Sequence, residues 1–591
     1  RHTRFRNVTG VQTCALPISV ASLPVEMCLP GPEIGDVRVR PGGRYVSAVV
    51  SGTPDRTVPA RLTMWDIATG EPTEDIGGPE PATGRGLSGG VHHWHPDGGS
   101  VAYVASDGSV WRCDVTTHRA TEILPAAGRR WWGPVHSHQG RSLAAVADWN
   151  ELVRVDADGT IDSVHREDDG WVMDAAWFGD SPVAHRWSRP EMSWTTSSLT
   201  GSPVRPGVSV QQPFSAGTCT GWVSDESGAW NVVVDGTTVD DGLEHAGPVW
   251  GPGQRTWCTD DEGRTVAYTR NEAGFGSLWV LDRASGARTM VGRAVHGCVS
   301  WSGSTLAAVR TGARTPTQLV AYDMSDALAP RRVLTVDTAP DGWSAFDADL
   351  VEPTVHAAGD VPYRLYRAAR PNGRLIVWVH GGPVDQWQVT WRPRFTYWLS
   401  RGYSIAVPDH RGTTGHGRAF RLALEGGWGA VDADDTALVA RHAQGLLGTD
   451  ASRTALMGGS AGGLSVLSAA ARHASLAACA VVSYPVTDLG LLLATPDPFE
   501  GHYDGRLVGD QAVSPAVSPG RLVDVPVLSF HGDLDENVVP AHSLGLRDAV
   551  TAAGGSVRVE MMEGEGHGFR DPANIAREYV LTEAFLGEHL A

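Results

Sequence analysis

The sequence predicts two domains of different class, an N-terminal all-β propeller followed by a C-terminal α/β-hydrolase. Three observations carry this prediction. Glycine turns recur through the first half at Gly43, Gly98, Gly140, Gly179, Gly217, Gly263 and Gly303, spaced 55, 42, 39, 38, 46 and 40 residues apart. A serine stands at the tip of a glycine-flanked turn, Gly458-Gly459-Ser460-Ala461-Gly462-Gly463, between an apolar run and a run of helix formers. Asp535 and His567 then follow it in chain order, each just after a strand-like segment.

The turn spacing is close to the period of a four-stranded propeller blade. Each turn opens a short Val/Leu/Ala-rich strand. Later strands end in segments such as Leu62-Thr63-Met64-Trp65-Asp66-Ile67 and Leu278-Trp279-Val280-Leu281-Asp282. Seven units predict seven blades, with six or eight as alternatives because the copies are degenerate. No long helical pattern occurs before about residue 420. Turn residues cluster at Thr338 to Gly342, which sets the division at 19–338 for the propeller and 339–591 for the hydrolase. Val361-Pro362-Tyr363-Arg364-Leu365-Tyr366 reads as the first hydrolase strand. Residues 1–18 begin without methionine and resemble a translated sequencing adapter, so they are expected to be a non-native leader that has displaced the true N-terminus.

In the second half, Thr454 to Met457, the turn and Leu464 to Arg472 read as strand, sharp turn and helix. A glycine-flanked turn of this kind lifts a hydroxyl out of a sheet and leaves the first helical amide free. The fold orders its triad Ser, Asp, His. Val525 to His531 reads as a buried strand ending at Asp533 and Asp535, and the spacing favours Asp535 as the acid. Asp533 is the competitor, with turn shaping as its structural role. His567 lies between Gly566 and Gly568 after the strand Ser556 to Met562. The expected roles are Ser460 as nucleophile, His567 as general base then acid, and Asp535 as the group that orients the imidazole. The amides of Ala461 and of Gly382, in His380-Gly381-Gly382-Pro383, are the expected oxyanion donors.

These motifs resemble the catalytic domain of the prolyl oligopeptidase family of serine peptidases, in its acylaminoacyl-peptidase-like branch. The resemblance spans about 340–591. It is carried by His380 to Pro383, by Asp409-His410-Arg411-Gly412 with Gly415-His416-Gly417, and by Trp428-Gly429 with Asp432 and Asp435. The serine turn, Phe499-Glu500 with Tyr503, and Glu563 to Arg570 complete it. Leu464 stands where the family pattern implies an aromatic, and His416 where it implies a tyrosine. The resemblance implies that the propeller is a lid admitting short peptides and excluding folded proteins.

Composition narrows the chemistry. All 48 basic residues are arginine, which removes lysine nucleophiles, Schiff bases and the P-loop lysine. A net charge of −19 argues against nucleic acid as partner. Seven scattered cysteines without a C-x-x-C pair indicate neither a disulfide framework nor structural zinc, and point to a reducing cytoplasm. No apolar run reaches a membrane span. His92-His93 and His95 are expected to form a surface cluster at a blade turn rather than a metal site. No cofactor or metal is expected, and a homo-oligomer is compatible with the sequence.

The expected substrates are short peptides, with simple esters as the alternative on the same triad. Tyr484, Phe499 and Val538 are candidates for the first pocket. A free substrate amine would need carboxylates. The chain has no Glu-Glu pair, and Asp168-Asp169, Asp240-Asp241 and Asp260-Asp261 are the possible substitutes, so a blocked N-terminus or an internal bond is favoured.

Overall fold

The computed structural model describes residues 22–52, 58–73, 75–84, 87, 89–510 and 513–591. The proposed leader, 1–18, and Cys14 lie outside them. Seven small antiparallel sheets follow one another along the chain between Ile34 and Asp337, so the propeller has seven blades. All seven glycines picked out by spacing sit in the turn between the first and second strand of a blade, and all have positive φ, from 55° at Gly303 to 78° at Gly43. A side chain would be strained there, which is why the repeat is legible as glycine. The ring closes by packing of Ile34–Val39 against Val295–Ser302 and Thr305–Gly312. Thr305 Oγ1 donates to the Gly43 carbonyl at 2.7 Å across this seam.

A second repeat lines the central tunnel. In the innermost chain segment of each blade one residue has positive φ: Asp36, Gly90, Gly133, Asp174, Gln212, Gly253 and Cys298. In five blades a register shift brackets it, the signature of a β-bulge. Four of the seven are not glycine, and each such residue costs on the order of 1 kcal/mol of backbone strain. Asp36 recovers that cost by accepting from the amides of Val91 and His92, both at 2.8 Å.

This ring corrects the reading of the histidine cluster as a surface feature. His92 is fully buried, with its Nδ1 2.9 Å from Asp36 Oδ2 and its Nε2 2.8 Å from Ser47 Oγ. His93 and His136 face the tunnel. No group of three metal-ligating side chains occurs among the described residues.

The hydrolase sheet has eight strands. In spatial order they are Thr354–Ala358, Val361–Tyr366, Ser404–Pro408, Leu375–Val379, Thr454–Gly459, Cys479–Ser483, Val527–Gly532 and Val557–Met562. The first two are antiparallel to their neighbours and the rest are parallel. Strands buried on both faces read as continuous apolar runs, as Leu375–Val379 does. The first strand is Thr354–Ala358, not Val361–Tyr366. It is a mostly exposed edge strand, and its sequence Thr-Val-His-Ala-Ala carries little apolar signal. Residues 23–29, on the propeller side of the sequence division, pack on the hydrolase: Leu23 is fully buried and its amide donates to Ser400 Oγ at 3.0 Å. No helix among the described residues is long and apolar enough to cross a membrane.

One apolar cluster joins the two domains, with Trp230 and Trp257 from the propeller beside Val384, Leu464 and Tyr503 from the hydrolase. Polar clamps surround it. Glu244 accepts from the amides of Gly415 at 2.8 Å and Gly417 at 3.2 Å, and Asn271 Nδ2 donates to Gln386 Oε1 at 2.6 Å. Arg421 Nη2 meets Asp225 Oδ2 at 2.5 Å with both side chains fully buried. The Arg421 guanidinium also lies 4.0 Å from the Trp230 ring. Removing one member of a buried ion pair strands the other charge. Arg421→Met should therefore lower unfolding free energy by about 3 kcal/mol in urea titration. A change below about 1 kcal/mol would show that the clamp carries no load.

Candidate active site

Ser460 terminates the strand Thr454–Gly459 and caps the helix Ala461–Arg472. Its φ of 54° and ψ of −126° place it outside the regions an L-residue prefers. Close packing makes the turn possible. A Cβ on Gly462 would lie 2.4 Å from the His380 carbonyl and 2.5 Å from that of Val379, and one on Gly458 would lie 2.3 Å from the Gly462 carbonyl. Those positions require glycine on contact grounds alone. Leu464, fully buried in the inter-domain cluster, occupies the place where an aromatic was implied.

His567 Nε2 is 3.0 Å from Ser460 Oγ, and its Nδ1 is 2.8 Å from Asp535 Oδ2. The carboxylate can only accept, so Nδ1 carries the proton and Nε2 accepts from the serine hydroxyl. Asp535 is 3% exposed, and its Oδ1 accepts from the amides of Asn537 at 3.0 Å and Val538 at 2.9 Å. His531 donates through Nε2 to the Val538 carbonyl at 2.7 Å, which fixes the same loop. Asp533 instead accepts from the Gly564 amide at 2.7 Å and ties the acid loop to the histidine loop. Ser460, His567 and Asp535 thus meet, and Asp533 stands apart from the imidazole.

The strand Leu375–Val379 delivers His380 to Pro383 beside the serine. A Cβ on Gly381 would lie 3.5 Å from Ser460 Cβ, so this loop forms one wall of the site. Gly382 has φ of 126°, a backbone that favours glycine. Neither its amide nor that of Ala461 has a hydrogen-bond partner among the described residues. Behind this wall Asp409 accepts from Gln386 Nε2 at 3.0 Å, His416 Nε2 at 2.7 Å and Arg364 Nη2 at 2.5 Å. His416 therefore braces the loop where a tyrosine was implied.

The three pocket candidates separate. Tyr484 has positive φ, and its ring centroid is 4.7 Å from that of His567. Val538 is buried in the same cluster as Ala461 and Val384, and its backbone builds the acid loop. Phe499 packs at the edge of that cluster, and propeller tryptophans surround it: Trp171 at 5.5 Å, Trp187 at 6.1 Å and Trp250 at 6.3 Å.

The aspartate pairs have other work. Asp241 accepts from His245 at 3.0 Å and Arg270 at 2.5 Å. Asp260 and Asp261 accept amides of Arg264 and Gly303, both at 2.8 Å. Asp169 pairs with Arg189 at 3.1 Å, and Asp168 is almost fully exposed. A different carboxylate, Glu500, enters the sequence reading only as part of a family motif and is not weighed there as an amine partner. It has no hydrogen-bond partner among the described residues, and burial followed by the neighbouring Asp504 and Asp497 holds its pKa well above the usual range. Its sequence signal is its place in the Phe499-Glu500 motif with Tyr503.

Residues 387–591 match the prolyl oligopeptidase family. The match lies wholly within the hydrolase domain, and with the relatives it supports a serine-type peptidase that acts on peptides. It is similar to dipeptidyl aminopeptidase BIII of Pseudoxanthomonas mexicana, with 24% identity across 95% of this chain and 87% of the relative. The fold is that of a puromycin-hydrolyzing peptidase of Mycobacterium tuberculosis, with TM-score 0.81, 21% identity, and 97% and 96% of the two chains covered. It is also that of the acylaminoacyl peptidase of Pyrococcus horikoshii, with TM-score 0.70, 18% identity, and 95% and 96% covered.

Gly462→Ala should cost about 2–4 kcal/mol of stability and displace the serine, because the new methyl meets fixed carbonyls. Gly445→Ala, whose Cβ would meet nothing within 4 Å, is the control and should be neutral or slightly stabilising. Melting temperatures and peptide turnover of the two variants check this.

Proposed function

We propose that the chain hydrolyses short peptides through an acyl-enzyme on Ser460, with the propeller excluding folded proteins. The observation that carries the reading is the relay from Asp535 through His567 to Ser460, at 2.8 and 3.0 Å. Ser460 Oγ attacks the scissile carbonyl as its proton passes to His567 Nε2. Asp535 stabilises the imidazolium, and the amides of Ala461 and Gly382 receive the oxyanion. His567 then returns the proton to the leaving amine, the acyl-enzyme forms, and water repeats the sequence to release the acid. Simple esters can use the same steps, but a propeller lid adds nothing to their selection.

The free amino terminus of the substrate is assigned to Glu500. Phe499, its neighbour, packs against the cluster that contains Ala461 and Val538, which supports a place for Glu500 on the active-site side of the hydrolase. Glu500 is partly exposed and its carboxylate accepts from no described residue, so a substrate ammonium can reach it and supply both charge and donors. This reverses the preference for a blocked N-terminus drawn from the absence of a Glu-Glu pair.

A matched panel of one sequence with free, acetylated and extended N-termini tests both parts. The free form should be turned over best, and Glu500→Gln should raise its KM at least about tenfold while leaving the acetylated form unchanged. Because the Glu500 pKa is raised, the carboxylate charges late, and KM for the free form should fall as pH rises through that titration. Equal KM values for free and acetylated forms would remove Glu500 from the role. Asp535→Asn should lower kcat by about 10⁴-fold, and Asp533→Asn by less than about tenfold. The reverse ranking would move the acid.

A further inference from the structure

The innermost strands of the blades enclose a tunnel cavity of about 490 Å³, within the ~300–1,000 Å³ of ordinary small-molecule sites. Trp94, Trp177, Phe214 and Trp257 give it an aromatic wall. Two arginines also line it, Arg38 from the first blade and Arg255 from the sixth. They occupy equivalent places, each two residues beyond the positive-φ residue of its strand.

These guanidiniums are poorly matched. Arg38 donates no hydrogen bond to any described residue, and its Nε lies 3.7 Å from Asp36 Oδ1 with the side chain 16% exposed. Arg255 Nη2 donates to the Val37 carbonyl at 2.6 Å and lies 3.1 Å from the same Asp36 oxygen, while its Nε and Nη1 have no partner. Asp36 is already engaged by the His92 ring and by three amides, those of Gly90, Val91 and His92. Asp36 and Asp174 are the carboxylates that face these two largely buried cations, and Asp174 pairs directly with neither. Burial, and then the neighbouring Arg255, pull the Arg38 pKa down to about 9. Further round the ring, Asp174 Oδ2 and Gln212 Nε2 are also unpartnered.

The position gives the pair a use. Gln254 and Arg255 also wall a second cavity of about 190 Å³, closed on its other side by Asp385, Gln386 and Thr414 of the hydrolase. Arg255 therefore borders both the tunnel and a cavity that reaches the hydrolase, and Arg38 lies on the tunnel side.

We propose that Arg38 and Arg255 bind the terminal carboxylate of a short peptide inside the propeller tunnel. An arginine fork matches a carboxylate in shape and charge. Peptide amides and carbonyls would meet Asp174 and Gln212, and peptide side chains the aromatic wall. An inorganic anion would leave all of those unused. The choice of a peptide as bearer of the carboxylate rests on the peptidase reading above; the anion site does not.

The test is calorimetric titration of the Ser460→Ala protein, which binds without turnover. The probes are an acetylated dipeptide acid and its C-terminal amide, at fixed ionic strength. The acid should bind at least about tenfold more tightly, and that preference should fall to near unity in Arg38→Gln and in Arg255→Gln. Circular dichroism and melting confirm that each variant is folded. Equal affinity for acid and amide would overturn the proposal whether or not the variants fold, as would an acid preference unchanged in both variants. Displacement of the acid by acetate or phosphate at equal concentration would reduce the site to one for simple anions and overturn the peptide assignment. A protein that keeps the acid preference while the unsubstituted chain hydrolyses no peptide would fault the peptidase reading and leave the anion site standing.

Discussion

The backbone at Ser460 is held at φ of 54° by contacts that leave no room for a Cβ on Gly458 or Gly462. Much of the active site follows from that constraint. The parallel strands on either side must run close enough for the helix to pass over the His380 carbonyl. The loop after Val379 is thereby brought to the serine, and its second glycine is free to aim an amide at the same point. The acid and histidine loops then need only reach across from the next strands of the same sheet. Strain on the order of 1–3 kcal/mol at one residue is affordable because two sheet faces of buried apolar side chains hold the frame around it.

The propeller contributes more than a cover. Trp171, Trp187 and Trp250 reach the hydrolase around Phe499, so the aromatic wall there belongs to both domains. The buried Arg421–Asp225 pair and the Glu244 clamp on the Gly415 to Gly417 loop keep those walls in register. The loop clamped by Glu244 also carries His416, which braces Asp409 behind the serine wall. Rigid seating of the propeller and correct placement of the site are therefore one mechanical problem, solved at one interface.

What was legible in the sequence was whatever local backbone geometry demands. Seven hairpins needed positive φ at one residue each, so glycine marked every blade. The serine turn needed glycines on contact grounds, and the triad sits at strand ends in a fixed chain order. What was hidden depends on distant partners. His92 looked like surface because its burial comes from Asp36, 56 positions earlier. Phe499 gave no hint of its tryptophans, which lie some 250 to 330 residues away in sequence. Glu500 was invisible as a free carboxylate because lack of a partner is a property of the folded surroundings. Arg38 and Arg255 were two among 48 arginines until the ring placed them together. The edge strand Thr354–Ala358 was missed for a simpler reason, since its exposed face carries no apolar alternation.

The central claim is that Ser460, and no other hydroxyl, is activated beneath the propeller. Mass spectrometry of the intact and digested protein after brief exposure to a fluorophosphonate addresses it most directly. One adduct per chain, mapped to the peptide containing Ser460 and lost in His567→Ala, is the predicted result. No adduct, or an adduct at another serine with Ser460 unmodified, would contradict the account.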